Sequence, residues 1–319
     1  MRSKQLSKPV EDLTSLFKPL RKKVYTTPPK VGVHVNWNAP NGKSQPGWEI
    51  LLGILSACYW TSHNGPIDLY TDEIGMKNVE NLGLAGLYRN VKMLDPEMSK
   101  GLDAKTFWAA GKFMAMLEAD EPVYIIDQDL LLHKTLDSYT NDDVVFLHKE
   151  VPVQEFYPHI LCADVSKYYD FQEINHAYNC ALIHFKDINL MREYASMSLR
   201  YMNTAKGVSL AYHPNQIMCT VEQFGLQQFC ELKKLSAQPL IQSVYNPGLE
   251  NHFWEASEDG VDDVDQAGDW MYHSWAEKGH LRQDYQASIE FSVRLVELIE
   301  KKIGASLEPL ISKLNFQEH

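Results

Sequence analysis

Along this chain, short β-prone apolar runs alternate with longer segments whose apolar residues recur at helical spacing. Residues 31–37, 67–70 and 91–94 read as strands, and residues 48–60, 76–88 and 104–118 read as helices. Gly83 and Gly86 weaken the second helix, whereas Gly111 is the only breaker in the third. This alternation predicts a mostly parallel sheet covered by helices on both faces. The chain then reaches Glu121-Pro122-Val123-Tyr124-Ile125-Ile126-Asp127-Gln128-Asp129-Leu130-Leu131-Leu132, the stretch around which the rest is organised. Val123, Tyr124, Ile125 and Ile126 read as a strand buried on both faces. With a period of two, Asp127 and Asp129 project to one side at its carboxyl end. Open α/β sheets bind ligands at that edge.

Beyond Asp129 the rhythm changes. Residues 143–147 and 178–185 read as strands, with an aromatic-rich segment at 156–171 suited to a pocket wall. Helices follow at 188–202 and 216–224, then a short strand near Leu240 and Ile241, and an acidic loop at 255–269. The last helix, 288–303, ends at Gly304 as its cap. Its expected buried stripe is Ile289, Val293, Val296 and Ile303, with Glu290, Arg294, Glu297 and Lys301 facing water. At the other end, Arg2, Lys4, Lys8, Lys18, Arg21, Lys22, Lys23 and Lys30 stand against only Glu11 and Asp12. Leu13, Leu16, Phe17 and Leu20 recur there at helical spacing, as in a helix that packs on its own domain or lies on an anionic membrane.

Charge and composition narrow the chemistry. The 319 residues carry a formal net charge of −12, which argues against nucleic acid as the main partner. The 5 cysteines are scattered without metal-knuckle spacing, which suits a reducing compartment. No run approaches membrane-spanning length, so the expectation is a cytoplasmic protein, with peripheral contact through the basic N-terminus as the route to a membrane. Neither a G-x-G-x-x-G nor a Walker P-loop occurs. Asp-x-Asp is a weak signal by itself and recurs at Asp263-Val264-Asp265; the apolar strand before Asp127 is what gives it weight. Two carboxylates at a strand end repel each other unless a cation joins them, and hard oxygen ligands suit Mg²⁺ or Mn²⁺. Such an ion would in turn hold a diphosphate.

The order of these features, from Val31 to Lys278, resembles the GT-A glycosyltransferases, in particular the glycogenin-like and capsular-polysaccharide-type members. Five local features carry the resemblance. They are Phe107-Trp108-Ala109-Ala110-Gly111-Lys112 before the metal strand, Tyr124-Ile125-Ile126-Asp127-Gln128-Asp129 as the metal motif, Tyr178-Asn179-Cys180-Ala181 at the donor-sugar turn, Asn215-Gln216, and His273-Ser274-Trp275-Ala276-Glu277-Lys278. There are departures. Cys180-Ala181 stands for Thr-Gly, Asn215 for an acidic residue and Ala276 for a glycine, and Lys278 falls one position early.

The resemblance implies a GT-A-like mostly parallel central sheet flanked by helices, with a C-terminal helical appendage. It divides the chain into a basic tail or helix at 1–30, a catalytic domain at 31–245, and a segment at 246–319 that completes the site and packs a helix. Asp127, Asp129 and His273 become ligands of Mn²⁺ (or Mg²⁺). Asn36, Thr71 and Asp72 become candidates for the base and ribose, and Asn179 and Gln216 for the sugar. Lys112, Lys278 or Arg282 would meet the charge of the leaving diphosphate. Trp37, Trp108, Tyr157 and Trp275 are candidate stacking rings. The implied reaction moves a sugar from a nucleotide-diphospho sugar, UDP-sugar favoured, to a glycan, lipid-linked or protein acceptor. Retention is favoured over inversion; for inversion, Asp164, Asp170 and Glu173 are equally available bases. Two alternatives stand beside it: a catalytically degenerate sugar- or nucleotide-binding scaffold of the same fold, and an Asp-x-Asp phosphohydrolase.

Overall fold

In the computed structural model, the residues described are 16, 17, 20, 29–42, 44–136, 141–151, 176–204, 213–245, 271–274, 277–314 and 316. Four strands, β1 (Gly32–Asn36), β2 (Ile67–Thr71), β3 (Val91–Met93) and β4 (Tyr124–Ile126), lie parallel in the order β3-β2-β1-β4. Between them run α1 (Gly47–His63), α2 (Glu73–Leu82) and α3 (Ala110–Glu118). After β5 (Leu130–Leu132) come β6 (Val144–Glu150), β7 (Ala177–Tyr178) and β8 (Leu182–Phe185), with β8 antiparallel to both β4 and β6. The chain continues through α4 (Ile188–Thr204), α5 (Pro214–Cys219), a π-helical turn (Thr220–Phe224) and α6 (Gly225–Lys233). It then enters β9 (Ala237–Tyr245), which pairs parallel with β6. β10 (Met271–His273) joins β5 in a separate antiparallel pair, and α7 (Lys278–Gln283), α8 (Tyr285–Ile303) and α9 (Glu308–Ile311) end the fold. The result is a mixed α/β architecture with a mostly parallel central sheet flanked by helices, as the sequence predicts.

Alternation along the strands builds two cores. Val33, Ile125 and Ile183 face a layer containing Phe113 of α3 and Tyr194 of α4. Leu69, Ile126 and Leu182 face the other layer, where Leu51 and Leu55 of α1 meet Leu295 and Ile299 of α8. Phe17 and Leu20 are buried in this second core, so these two apolar residues of the N-terminal segment are covered by the protein itself.

Several elements differ from their sequence expectation. α2 starts at Glu73 because the Asp72 side chain accepts from the Gly75 amide at 3.0 Å, and it stops where Gly83 adopts a left-handed φ of 66°. α3 starts only at Ala110, since the Asp103 carboxylate takes the Thr106 hydroxyl at 2.6 Å and holds the preceding residues in turns. The expected strand at 178–185 is broken between β7 and β8. On α8, Gly304 caps the helix as expected, but the stripe is rotated to Ser288, Ser292, Leu295, Ile299 and Ile303, leaving Val293 exposed. The two serines are buried. Their hydroxyls are satisfied within the helix, Ser292 donating to the Ser288 carbonyl at 2.6 Å and Ser288 to that of Tyr285 at 2.8 Å.

Candidate active site

The organising stretch is two strands and a turn. β4 ends at Ile126, the Asp127 amide still donates across to Ala181 at 2.7 Å, and the Leu130 amide closes back on the Asp127 carbonyl at 3.0 Å. The two aspartates therefore converge through a tight turn, and the pleat of a continuing strand has no part in it. Leu130 then opens β5, whose partner β10 places His273 opposite Leu130. The Ser274 amide donates to the Asp129 carbonyl at 3.2 Å, locking that register. One ligand atom from each of Asp127, Asp129 and His273 lies within 4.8 Å of the others, close enough for one ion to reach all three.

Two lysines already meet the carboxylates. Lys278, the first residue of α7, places Nζ 2.8 Å from Asp129 Oδ2. Lys112 comes from α3 and sets Nζ 2.6 Å from Asp127 Oδ1 and 2.7 Å from Glu222 Oε1. It also donates to the Cys180 carbonyl at 3.1 Å. Gly111 makes that reach feasible: a Cβ there would lie 2.8 Å from Trp37 Cβ and 3.0 Å from Val35 Cγ1. Glycine thus lets α3 sit directly on the end of β1.

Electrostatics follow from burial. Desolvation raises the Asp127 carboxyl, with Lys112 opposing, and the net direction is upward. Burial works the same way on Asp129, but Lys278 and then His273 outweigh it and hold that carboxyl below its usual range. Burial pushes His273 down to about 4, so its imidazole is neutral at pH 7 and has a lone pair for a metal. Its Nε2 is 3.7 Å from Asp129 Oδ2, and its buried Nδ1 finds no hydrogen-bond partner among the described residues. A neutral ring with an orphaned nitrogen beside two carboxylates fits a hard or borderline divalent ion.

The other sequence candidates sort differently. Asn36 ends β1 and lines a narrow cleft with a cavity volume of about 20 Å³. Gln45, Asn78 and Gln128 share that lining, over a floor that includes Ile54, Leu69 and Val79. Because Gln128 lies between the two aspartates, cleft and ion site share one turn. Thr71 donates to the Asn36 carbonyl at 2.7 Å, and Asp72 accepts from the amides of Asn38, Ala39 and Gly75. Neither side chain lines the cleft; both are engaged in internal bonds, two of which reach the cleft residues Asn36 and Gly75. Asn179 donates to Glu150 at 2.7 Å and accepts from the Ala181 amide at 3.0 Å, forming the turn between β7 and β8. Gln216 closes a capping box with His213 at the start of α5. Arg282 pairs with Glu49 at 2.6 Å, tying α7 to α1. Trp37 is half-buried and Trp108 is 38% exposed, while Tyr157, Asp164, Asp170, Glu173 and Trp275 lie outside the described residues.

Two functional candidates escaped the sequence reading: Glu222 behind Lys112 and Glu150 behind Asn179, both buried. For Glu222 a signal existed. It stands between the fully apolar positions Met218 and Leu226, four residues to either side, where a charge needs a partner.

No protein-family model and no curated protein matches this sequence. Among solved structures, the chain is similar to the galactosyltransferase LgtC in complex with donor and acceptor sugar analogs, at 10% identity and a TM-score of 0.38, over 60% of this chain and 69% of that one. It is also similar to the glycosyltransferase GlyE of Streptococcus pneumoniae, at 12% identity and a TM-score of 0.36, over 67% of this chain and 45% of that one. Mouse xyloside xylosyltransferase 1 is similar at 10% identity and a TM-score of 0.36, over 66% of this chain and 84% of that one.

Proposed function

We propose that this chain is a metal-dependent glycosyltransferase whose donor is a nucleotide-diphospho sugar, with a UDP-sugar favoured. One observation carries the reading: Asp127 and Asp129 from a single turn, and His273 from a distant strand, bring their ligand atoms within 4.8 Å at the carboxyl edge of the parallel strands. Mn²⁺ or Mg²⁺ held there would neutralise charge on a departing nucleoside diphosphate. Lys278, paired with Asp129 at 2.8 Å and 31% exposed at its side chain, is our candidate cation for that leaving group. Four uncharged carboxamides line the cleft, Gln45 donating to Gln128 at 3.1 Å and Asn78 to Ser44 at 2.7 Å, and Asn36 among them is our candidate at the base. Asn179, held by Glu150, is our candidate for orienting the donor sugar, and Gln216 for the acceptor side. Acceptors of the glycan, lipid-linked or protein type, retention of anomeric configuration and a cytoplasmic location belong to the same proposal. Among the described residues no helix is long and apolar enough to cross a membrane.

A second reading rests on the lysines. Lys112 and Lys278 neutralise Asp127 and Asp129 without any ion, which suits a binding scaffold of the same fold that has lost turnover. Thermal stabilisation by UDP, GDP and CMP, with and without Mn²⁺, tests the donor site. A Mn²⁺-dependent rise in Tm with one nucleotide, lost in the Asp127→Ala/Asp129→Ala variant, is expected. No rise with any nucleotide would sink the donor-binding claim, and a rise without turnover of the matching nucleotide sugar would favour the scaffold.

A further inference from the structure

We propose that Glu222 is a positioning residue of the ion site: it fixes Lys112 as a permanent internal cation and keeps Asp127 available to the divalent ion. This rests on the metal-dependent reading above and adds a residue to it.

The argument starts from hydrogen-bond capacity. An ammonium has three hydrogens to donate. Those of Lys112 are taken by Asp127 Oδ1, Glu222 Oε1 and the Cys180 carbonyl, so none remains for a phosphate. Lys112 is therefore part of the wall of the site, and of the two lysines Lys278 has the more accessible side chain, 31% exposed against 10%. Without Glu222, the whole charge of Lys112 would fall on Asp127 and compete with an incoming cation. With Glu222, three carboxylates stand against two ammoniums, and the site retains one net negative charge for the ion to answer.

The backbone around Glu222 supports a specific placement. It sits in the π-helical turn Thr220–Phe224, a wide turn between α5 and α6. Such turns are uncommon and concentrate at functional sites. This one is held from outside the helix: the Tyr194 hydroxyl donates to the Glu222 carbonyl at 2.6 Å, and Cys180 Sγ approaches the same oxygen at 3.6 Å. Cys180 thus meets Glu222 through its thiol and Lys112 through its carbonyl, joining the donor-sugar turn to the π-turn.

The test is Mn²⁺ binding to the full chain without nucleotide, followed by the electron paramagnetic resonance signal of the free ion. Glu222→Gln keeps the shape but removes the charge, and we expect Mn²⁺ affinity to fall roughly tenfold, as for a unit charge lost close to a divalent ion in a partly screened site. Glu222→Gln/Lys112→Met restores the charge count, and wild-type affinity should return. A merely structural role would change Tm in either variant without this reversal. Wild-type Mn²⁺ affinity in folded Glu222→Gln protein would overturn the proposal. Should that variant fail to fold, the double variant decides alone, since affinity tenfold below wild type there would overturn it too. If the unaltered protein binds no Mn²⁺, the metal-dependent reading itself falls, a result distinguishable from failure of Glu222's role.

Discussion

Lys112 shows how much one buried side chain can hold. Replacing it with methionine leaves Asp127 and Glu222 close together with no countercharge between them. Breaking a buried ion pair from one side typically costs about 3–5 kcal/mol, because the stranded charge keeps its desolvation penalty. Lys112→Met should therefore lose about that much stability in urea unfolding, and a loss below about 1 kcal/mol would mean the cluster is far wetter than its geometry indicates. At this scale the sequence was informative about one end of each interaction. Asp127, Asp129, Lys112 and His273 were all legible as candidates because a strand end or a motif drew attention to them. Their partners were not. Glu222 and Glu150 enter the site through contacts between segments far apart in the chain, and no local pattern records who faces whom.

Among elements, the strands of the first half were the most legible, since short apolar runs between turn residues have few other fates. The organising stretch was legible as a strand up to Ile126, but its period of two does not continue through Asp127 and Asp129, where a turn divides β4 from β5 and puts them in two sheets. The π-turn was invisible for a related reason: over a single turn, its periodicity cannot be told from that of an α-helix. α8 offers a direct check on register. Leu295 is fully buried against α1, whereas Val293 is 52% exposed. Leu295→Ala should cost about 2–5 kcal/mol. Val293→Thr should stay within about 0.5 kcal/mol. Equal costs in denaturant unfolding would restore the stripe read from sequence.

For the molecule as a whole, acid response is the property most directly set by burial. Burial depresses His34 to about 3, and its Nε2 sits 3.1 Å from Ser56 Oγ in the interior. Its folded pKa lies below the unfolded value near 6.5, so the unfolded chain takes up this proton first. The stability linked to His34 is present above about pH 6.5 and is lost as pH falls toward about 3. Between those limits His34→Gln should flatten the pH dependence of stability by up to about 1.4 kcal/mol per pH unit. Urea midpoints of both proteins at pH 7 and 4.5 provide the comparison, in which the raised carboxyls of Asp127 and Glu222 cancel. Parallel slopes would place His34 in contact with water. The sheet order beyond β4 was beyond the sequence, because β6–β9 and β5–β10 pair strands separated by long intervening chain.

That last pairing also fixes when the site can exist during synthesis. Asp127 and Asp129 leave the ribosome long before β10, and until Met271, Tyr272 and His273 arrive, β5 has no partner strand among the described residues. A nascent chain halted short of β10 carries an apolar strand with an unpaired edge, open to association with other chains. It also carries an aspartate pair without its imidazole or Lys278. The proposed ion site is therefore complete only after β10 and Lys278 have been made.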